Sequence, residues 1–249
     1  YTGTVAAACG GTTTIIDHMA FGPKGCKLTR QPMAYHELAQ PCVVHSGFPG
    51  VIQHVDDAVL NDMQVLRDEE GITSLKIYLT YDYRLTDPDV LRVLLRAKEL
   101  GIVICAHCED DAMLGVLRKK FIEEGTLSPH CHPLSRPPEA EEEAVYRFMM
   151  LAREAKQPHS SIVHLSTKLG LQAVRTARES GQKNLYVETC PQYLTLTDNL
   201  YDNADGLKYI MAPPLRKNID IEALWSGLAD NTIDTVGTDH CPFFFETQK

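Results

Sequence analysis

Ser74-Leu75-Lys76-Ile77-Tyr78-Leu79-Thr80-Tyr81 is a short apolar run, and a helix-like stretch over 88–100 follows it, closed by Gly101. A second apolar run then begins, Ile102-Val103-Ile104-Cys105-Ala106-His107-Cys108-Glu109. Strand, helix, strand is the unit this stretch spells, and it recurs in both directions. Strand-like runs cover 12–19, 41–48, 74–81, 102–109, 160–167, 185–193 and 234–241. Helix-like segments with apolar residues at i, i+3 and i+4 cover 55–69, 88–100, 112–124, 138–155, 169–180 and 221–230, the spacing of an amphipathic face. Gly71, Gly101, Gly125 and Gly181 stand at helix ends, where the C′ position favours glycine. Alternation of this kind gives a parallel sheet covered by helices, as an open doubly wound sheet or a closed barrel. No GxGxxG or GxxxxGK[ST] follows the first strand, which counts against the nucleotide-binding open sheets. Seven strands predict an α/β fold, an incomplete (β/α)8 TIM barrel one strand short. It is expected to be open between the 12–19 and 234–241 strands.

The chain has 249 residues, and a lone α/β barrel runs to ~250. With no Pro/Ser-rich linker to divide it, residues 1–249 are read as one catalytic barrel domain. Tyr1 opens in a small-residue segment without Met, and 243–249 stop without a terminal element, so the expectation is a barrel truncated at both ends. A net charge of −9 disfavours nucleic acid and anionic membranes as partners. No apolar run approaches the ~20 residues of a membrane span, and no basic-then-apolar leader opens the chain. Eight cysteines are scattered rather than framed, which suits a reducing cytoplasm better than a disulfide scaffold. Cys105 and Cys108 form one CxxC with no second, and an odd step along a strand puts them on opposite faces.

A buried parallel strand should be nearly all apolar, yet four of these carry polar residues toward their C-terminal ends: Lys76, His107, His164 and Asp239. Each alone has a structural reading. A strand histidine is more often a hydrogen-bonded core residue than a ligand, a lysine can snorkel to the rim, and an aspartate can cap the next helix. Together they favour a site. Lysine is almost never buried without a partner, two imidazoles and a carboxylate suit zinc, and a barrel gathers its strand ends at one mouth.

These four positions resemble the binuclear-metal set of the amidohydrolase superfamily. The text around them is similar to the hydantoinase/dihydropyrimidinase family in particular: Gly10-Gly11-Thr12-Thr13-Thr14-Ile15-Ile16-Asp17, Thr73-Ser74-Leu75-Lys76, Glu188-Thr189-Cys190-Pro191-Gln192-Tyr193-Leu194, Ala212-Pro213-Pro214-Leu215-Arg216 and Gly237-Thr238-Asp239-His240-Cys241. The resemblance runs the length of the chain. It implies a metal-dependent hydrolase that opens the cyclic amide of dihydropyrimidines or 5-substituted hydantoins to N-carbamoyl amino acids. It also implies two divalent metal ions, zinc foremost, bridged by N6-carboxylated Lys76, with His107 and His164 holding one and Asp239 helping to hold the other. On the same resemblance, a hydroxide between the metals is the nucleophile, and Asp239 moves the proton to the departing ring nitrogen. Tyr81 matches the tyrosine that donates to the developing oxyanion, and the Ala212 backbone matches a substrate-binding position. The substrate is then a small cyclic ureide or imide, and the parent protein a homo-oligomer, dimer or tetramer.

The family's remaining ligands, a His-x-His at the end of its first strand, would precede Tyr1. The His130-Cys131-His132 present here lies between Pro129 and Pro133 and reads as a loop outside the metal set, with His132 lining a loop near the site. A piece without the His-x-His is expected to be inactive alone, although its parent is active. Allantoinases and dihydroorotases share the barrel and metals, but tend to have histidine at Gln192 and to lack a counterpart of Tyr81. Metal-free scaffolds such as the collapsin response mediator proteins have lost ligands that are present here.

Overall fold

The computed structural model describes residues 1–19, 22, 23, 25–241, 243 and 245–248, the side chains of Phe245 and Gln248 excepted. In chain order the strands are β1 (Thr14–Ile16), β2 (His45–Gly47), β3 (Gly50–Val51), β4 (Ser74–Tyr78), β5 (Val103–His107), β6 (Ser160–Ile162), β7 (Leu185–Thr189) and β8 (Thr235–Val236). All strand pairs are parallel, β1 with β2 and then β3 through β8 in sequence order. β2 and β3 belong to one run of chain broken at Phe48-Pro49. The ladder carries across the break, because the Met19 N–H donates to Pro49 O and the Ile52 N–H to Lys76 O, each at 2.9 Å. The result is the expected parallel barrel, unclosed, with β1 and β8 at its edges.

The helices are α1 (Thr2–Cys9), α2 (Arg30–Ala39), α3 (Asp57–Asp68), α4 (Asp87–Leu100), α5 (Asp111–Glu123), α6 (Cys131–Leu134), α7 (Pro138–Glu154), α8 (Lys168–Glu179), α9 (Pro191–Thr195), α10 (Asn218–Ala229) and α11 (Phe245–Gln248). Helix α4 shows why they form where they do. The Thr86 hydroxyl caps the Asp89 N–H, proline stands in the first turn, and Gly101 ends the helix in the left-handed region at φ 70°. Val90, Val93, Leu94, Ala97 and Leu100 are buried along one face, each Val or Leu contributing about 1.5–3 kcal/mol when fully removed from water. They pack with Leu75 and Ile77 of β4 and Phe148 of α7 in one apolar cluster. Side chains alternate across a strand, so Lys76 and Tyr78 turn to the barrel interior.

Several expectations need correction. Each strand is shorter than its apolar run; Tyr81, His164 and Asp239 lie on the loops that follow β4, β6 and β8, whereas Lys76 and His107 lie within β4 and β5. The 185–193 run ends at Thr189, and Pro191, which fits a first helical turn, opens α9. The segment read as a loop around His130-Cys131-His132 contains one helical turn, α6. Helices α1 and α2 were not expected. The 243–249 stretch contains the turn α11, while Phe244 and Lys249 lie outside the described residues. Gly71, Gly101, Gly125 and Gly181 all have positive φ, 67° to 86°, as the C′ reading requires.

Candidate active site

Lys76 lies in the middle of β4, opposite Cys105 of β5, and Tyr78 lies opposite His107 at the end of β5. His164 follows β6 by two residues, Asp239 follows β8 by three and Tyr81 follows β4 by three, so these three and His107 stand at the C-terminal ends of parallel strands, with Lys76 inside the barrel below them. That is the face at which barrels of this kind carry out chemistry. A cavity of 540 Å³ beside Ala8, Thr12, Cys42 and His45 lies at the opposite, N-terminal end of β1 and β2 and belongs to no polar cluster.

Lys76, His107 and His164 are 4%, 2% and 3% exposed, which sets their ionisation. Burial pushes the Lys76 amine below the usual lysine range, opposed by the negative charge of Asp239. Among the described residues no carboxylate forms an ion pair with it, and its Nζ stands 5.3 Å from the centre of the Tyr78 ring. The chain neighbours Leu75, Ile77 and Leu79 offer Lys76 no charge, but Asp239 and Glu188 act on it through space. Burial also lowers the pKa of His164 well below normal, assisted by Lys76 and His107. His107 is lowered by burial too, against the pull of its bond to Glu109. Burial thus disfavours the charged form of both imidazoles, and the neutral ring is the state in which histidine binds metals.

Glu109 accepts a hydrogen bond from His107 Nε2 at 2.7 Å, which leaves the lone pair of His107 Nδ1 directed at His164 Nε2, 3.0 Å away. Burial would raise the Glu109 pKa, but the His107 bond and the charges of His107, Arg136 and Arg216 bring it down to about 2. Arg136 pairs with the same carboxylate and stands 5.4 Å from the centre of the Tyr81 ring. Tyr81, Tyr78 and Tyr83 form an aromatic wall beside His107, with the Tyr81 and His107 rings 5.2 Å apart. Burial raises the Tyr81 pKa, so its phenol stays protonated. Asp111 fixes the loop: its Oδ1 accepts from Thr80 Oγ1 at 2.9 Å and from the Tyr81 N–H at 3.2 Å.

Three of these residues have left-handed backbones, Tyr81 at φ 77°, His164 at 44° and Asp239 at 48°. For non-glycine residues this costs of order 1–3 kcal/mol and clusters at functional sites. Ala212 precedes the buried Pro213, and the adjacent Met211 carbonyl accepts from His132 Nε2 at 2.6 Å. His132, lowered by burial, feels the charges of Arg136 and Glu109, which puts the 211–213 segment beside the site. His130 is apart from it, paired with Asp202 at 2.8 Å on the surface.

The comparisons with known proteins are decisive at this point. The family model described as "Amidohydrolase family" matches residues 1–247. The chain belongs to the amidohydrolase family. It is 48% identical over 98% of its length to a D-phenylhydantoinase of Escherichia coli O9:H4 (strain HS), covering 52% of that protein. Its fold matches dihydropyrimidinase from Brevibacillus agri NCHU1002 with a TM-score of 0.96 at 39% identity, over 100% of this chain and 54% of that one. D-hydantoinase from Bacillus sp. AR9 matches with 0.96 at 40% identity, over 100% and 55%. The chain thus spans about half the length of the relatives it matches.

Several residues of this amidohydrolase site escaped the sequence reading. His18 lies just beyond β1, and burial followed by the charge of Lys76 lowers its pKa to about 4. It obeys the same rule as His107, a polar residue at a strand end, and could have been found that way. Glu109 and Arg136 are 27 residues apart, and nothing local announces their pairing. As for metal, among the described residues no three of His, Cys, Asp and Glu are grouped to hold an ion. Two donors still fit one. His107 Nδ1 and His164 Nε2 are 3.0 Å apart, close to the ~3.3 Å between two nitrogens at tetrahedral zinc distances. His164 Nδ1 is buried without a hydrogen-bond partner among the described residues. Lys76 adds an oxygen donor only as a carbamate.

Proposed function

We propose that the protein hydrolyses the cyclic amide of dihydropyrimidines or 5-substituted hydantoins, opening the ring to an N-carbamoyl amino acid, with 1–249 as its catalytic barrel domain. The observation that carries this reading is the convergence of buried His107, His164 and Lys76 at one mouth, where burial disfavours the charged form of all three. The names of its relatives, D-phenylhydantoinase and dihydropyrimidinase, support the substrate class. Lys76, carboxylated on Nζ, His107, His164 and Asp239 would hold two divalent ions, zinc first, which supply Lewis-acid polarisation of the scissile carbonyl and a more acidic water.

The chain's own residues do the rest. The neutral lysine amine is the form that reacts with carbon dioxide, and burial disfavours the ammonium form of Lys76, so burial favours its carboxylation. Glu109 keeps the His107 proton on Nε2 and turns Nδ1 inward, the orienting role carboxylates play for ligand histidines. Asp239 accepts the proton of the attacking water and delivers it to the departing ring nitrogen. Tyr81 donates a hydrogen bond from its phenol to the carbonyl oxygen as negative charge grows there. The Ala212 backbone binds the ring from the 211–213 segment. Tyr81→Phe should therefore lower kcat by ~10²–10³-fold, the range for one oxyanion donor, and leave KM within a few-fold. Steady-state kinetics check this, and an effect confined to KM would reassign Tyr81 to binding.

Among the described residues no helix is long and apolar enough to cross a membrane. Eight free cysteines suit a reducing cytoplasm. Exposed Val116, Ile122 and Leu127, on and beyond α5, suit burial between subunits of a dimer or tetramer. The test of the function is a substrate panel: dihydrouracil and a 5-substituted hydantoin should turn over and allantoin and dihydroorotate should not, with turnover lost on chelation and restored by zinc.

A further inference from the structure

Glu188 is the fourth residue of β7 and half-buried. Its main chain and that of Thr189 join β7 to the loops on either side. The Leu165 N–H donates to Glu188 O at 2.7 Å, Thr189 Oγ1 donates to Leu165 O at 2.7 Å, and the Gly237 N–H donates to Thr189 O at 3.0 Å. The Glu188 side chain repeats that bridge on the barrel interior. Toward β6, its carboxylate faces the backbone N–H of His164, which lowers the carboxyl pKa against the rise that burial causes. Toward β8, it lies against Gly237: a Cβ added there would stand 2.5 Å from Glu188 Cδ and 2.9 Å from Oε1, and closer still to Oε2. All three atoms nearest that Cβ belong to Glu188.

Gly237 has no positive φ, so its backbone does not require glycine. The Glu188 carboxylate occupies the space a side chain at 237 would take, so a Cβ there would displace the carboxylate rather than meet backbone. Each loop held this way carries a residue with a left-handed backbone, His164 at φ 44° and Asp239 at φ 48°, a conformation that persists only when its surroundings over-determine it.

We propose that Glu188 is a positioning residue, bracing the loops that carry His164 and Asp239, and that position 237 is glycine to admit its carboxylate. The proposal rests on the functional reading above for what the brace serves, but not for its existence. It assigns Glu188 no contact with substrate.

The test compares Glu188→Ala, Glu188→Gln, Gly237→Ala and the double variant Glu188→Ala/Gly237→Ala in the complete protein. Bound zinc per chain, kcat and KM separately, and the thermal midpoint are measured on each. Glu188→Ala should lower kcat ~10–100-fold, the size of effect seen when a ligand's supporting partner is lost, with KM within a few-fold and zinc content reduced. Glu188→Gln keeps an oxygen that can accept from the His164 N–H and should recover most of that loss. Gly237→Ala should lower the midpoint by several degrees while Glu188 is in place. In the Glu188→Ala background it should lower it by less than half as much, since contacting sites couple. Equal midpoint losses from Gly237→Ala in both backgrounds would overturn the brace, as would wild-type kcat and zinc content in Glu188→Ala. A wild-type protein that opens no ring would instead overturn the functional reading, and the midpoint coupling would still decide the brace.

Discussion

Lys76→Ala is expected to strip bridged metal from the protein and reduce ring opening by ~10³-fold or more, beyond the ~10–100-fold of losing a ligand's supporting partner. The barrel should stay folded. Lys76 is 4% exposed with no ion pair among the described residues, so alanine removes a buried amine that already disfavours its charged form. The lost methylenes leave a cavity, but no partner is left unsatisfied. Lys76→Arg should fail as completely, because a guanidinium stays charged and forms no carbamate. A short carboxylic acid added to Lys76→Ala should restore part of the activity by replacing the bridging oxygens. Metal analysis and turnover on the same sample check all three.

Asp239→Asn should rank next. Asparagine keeps the shape and the local hydrogen bonding that tolerate a left-handed backbone, and the side chain is exposed, so stability should hold. It cannot take a proton from water or return one to nitrogen. Losing a general acid–base group costs ~10²–10⁴-fold, and the loss should fall on kcat. A stopped-time assay for product, with circular dichroism on the same preparation, distinguishes this from unfolding. Wild-type kcat in Asp239→Asn would move the proton transfer to another group.

Much of this was legible in the sequence because charge inside an apolar strand is conspicuous. Lys76, His107 and His164 interrupt runs of Leu, Ile and Val, and a parallel barrel has one end for such residues. The βα alternation was legible for the same reason: period and glycine stops are local properties. What was hidden depends on contacts between distant segments. Gly237 reads as one more loop glycine until Glu188 is seen against it. The left-handed backbones of Tyr81, His164 and Asp239 have no compositional sign. The break between β2 and β3 could have been read from Pro49, which has no N–H for a ladder. Helix α1 is hydrophobic without a face, so periodicity gave no cue to it. His130-Cys131-His132 shows the reverse hazard, a ligand-like motif whose first histidine is spent on a surface pair with Asp202.

The central claim is that buried Lys76, His107 and His164, with Asp239, form a metal-dependent ring-opening centre. The most direct test is to record zinc per chain and the rate of dihydrouracil opening together, on the complete protein as purified, after chelation and after zinc is returned. The account expects rate and bound zinc to fall and recover in proportion, with both absent in Lys76→Ala at every stage. Undiminished turnover by zinc-free protein, or full zinc and rate in Lys76→Ala, would contradict it.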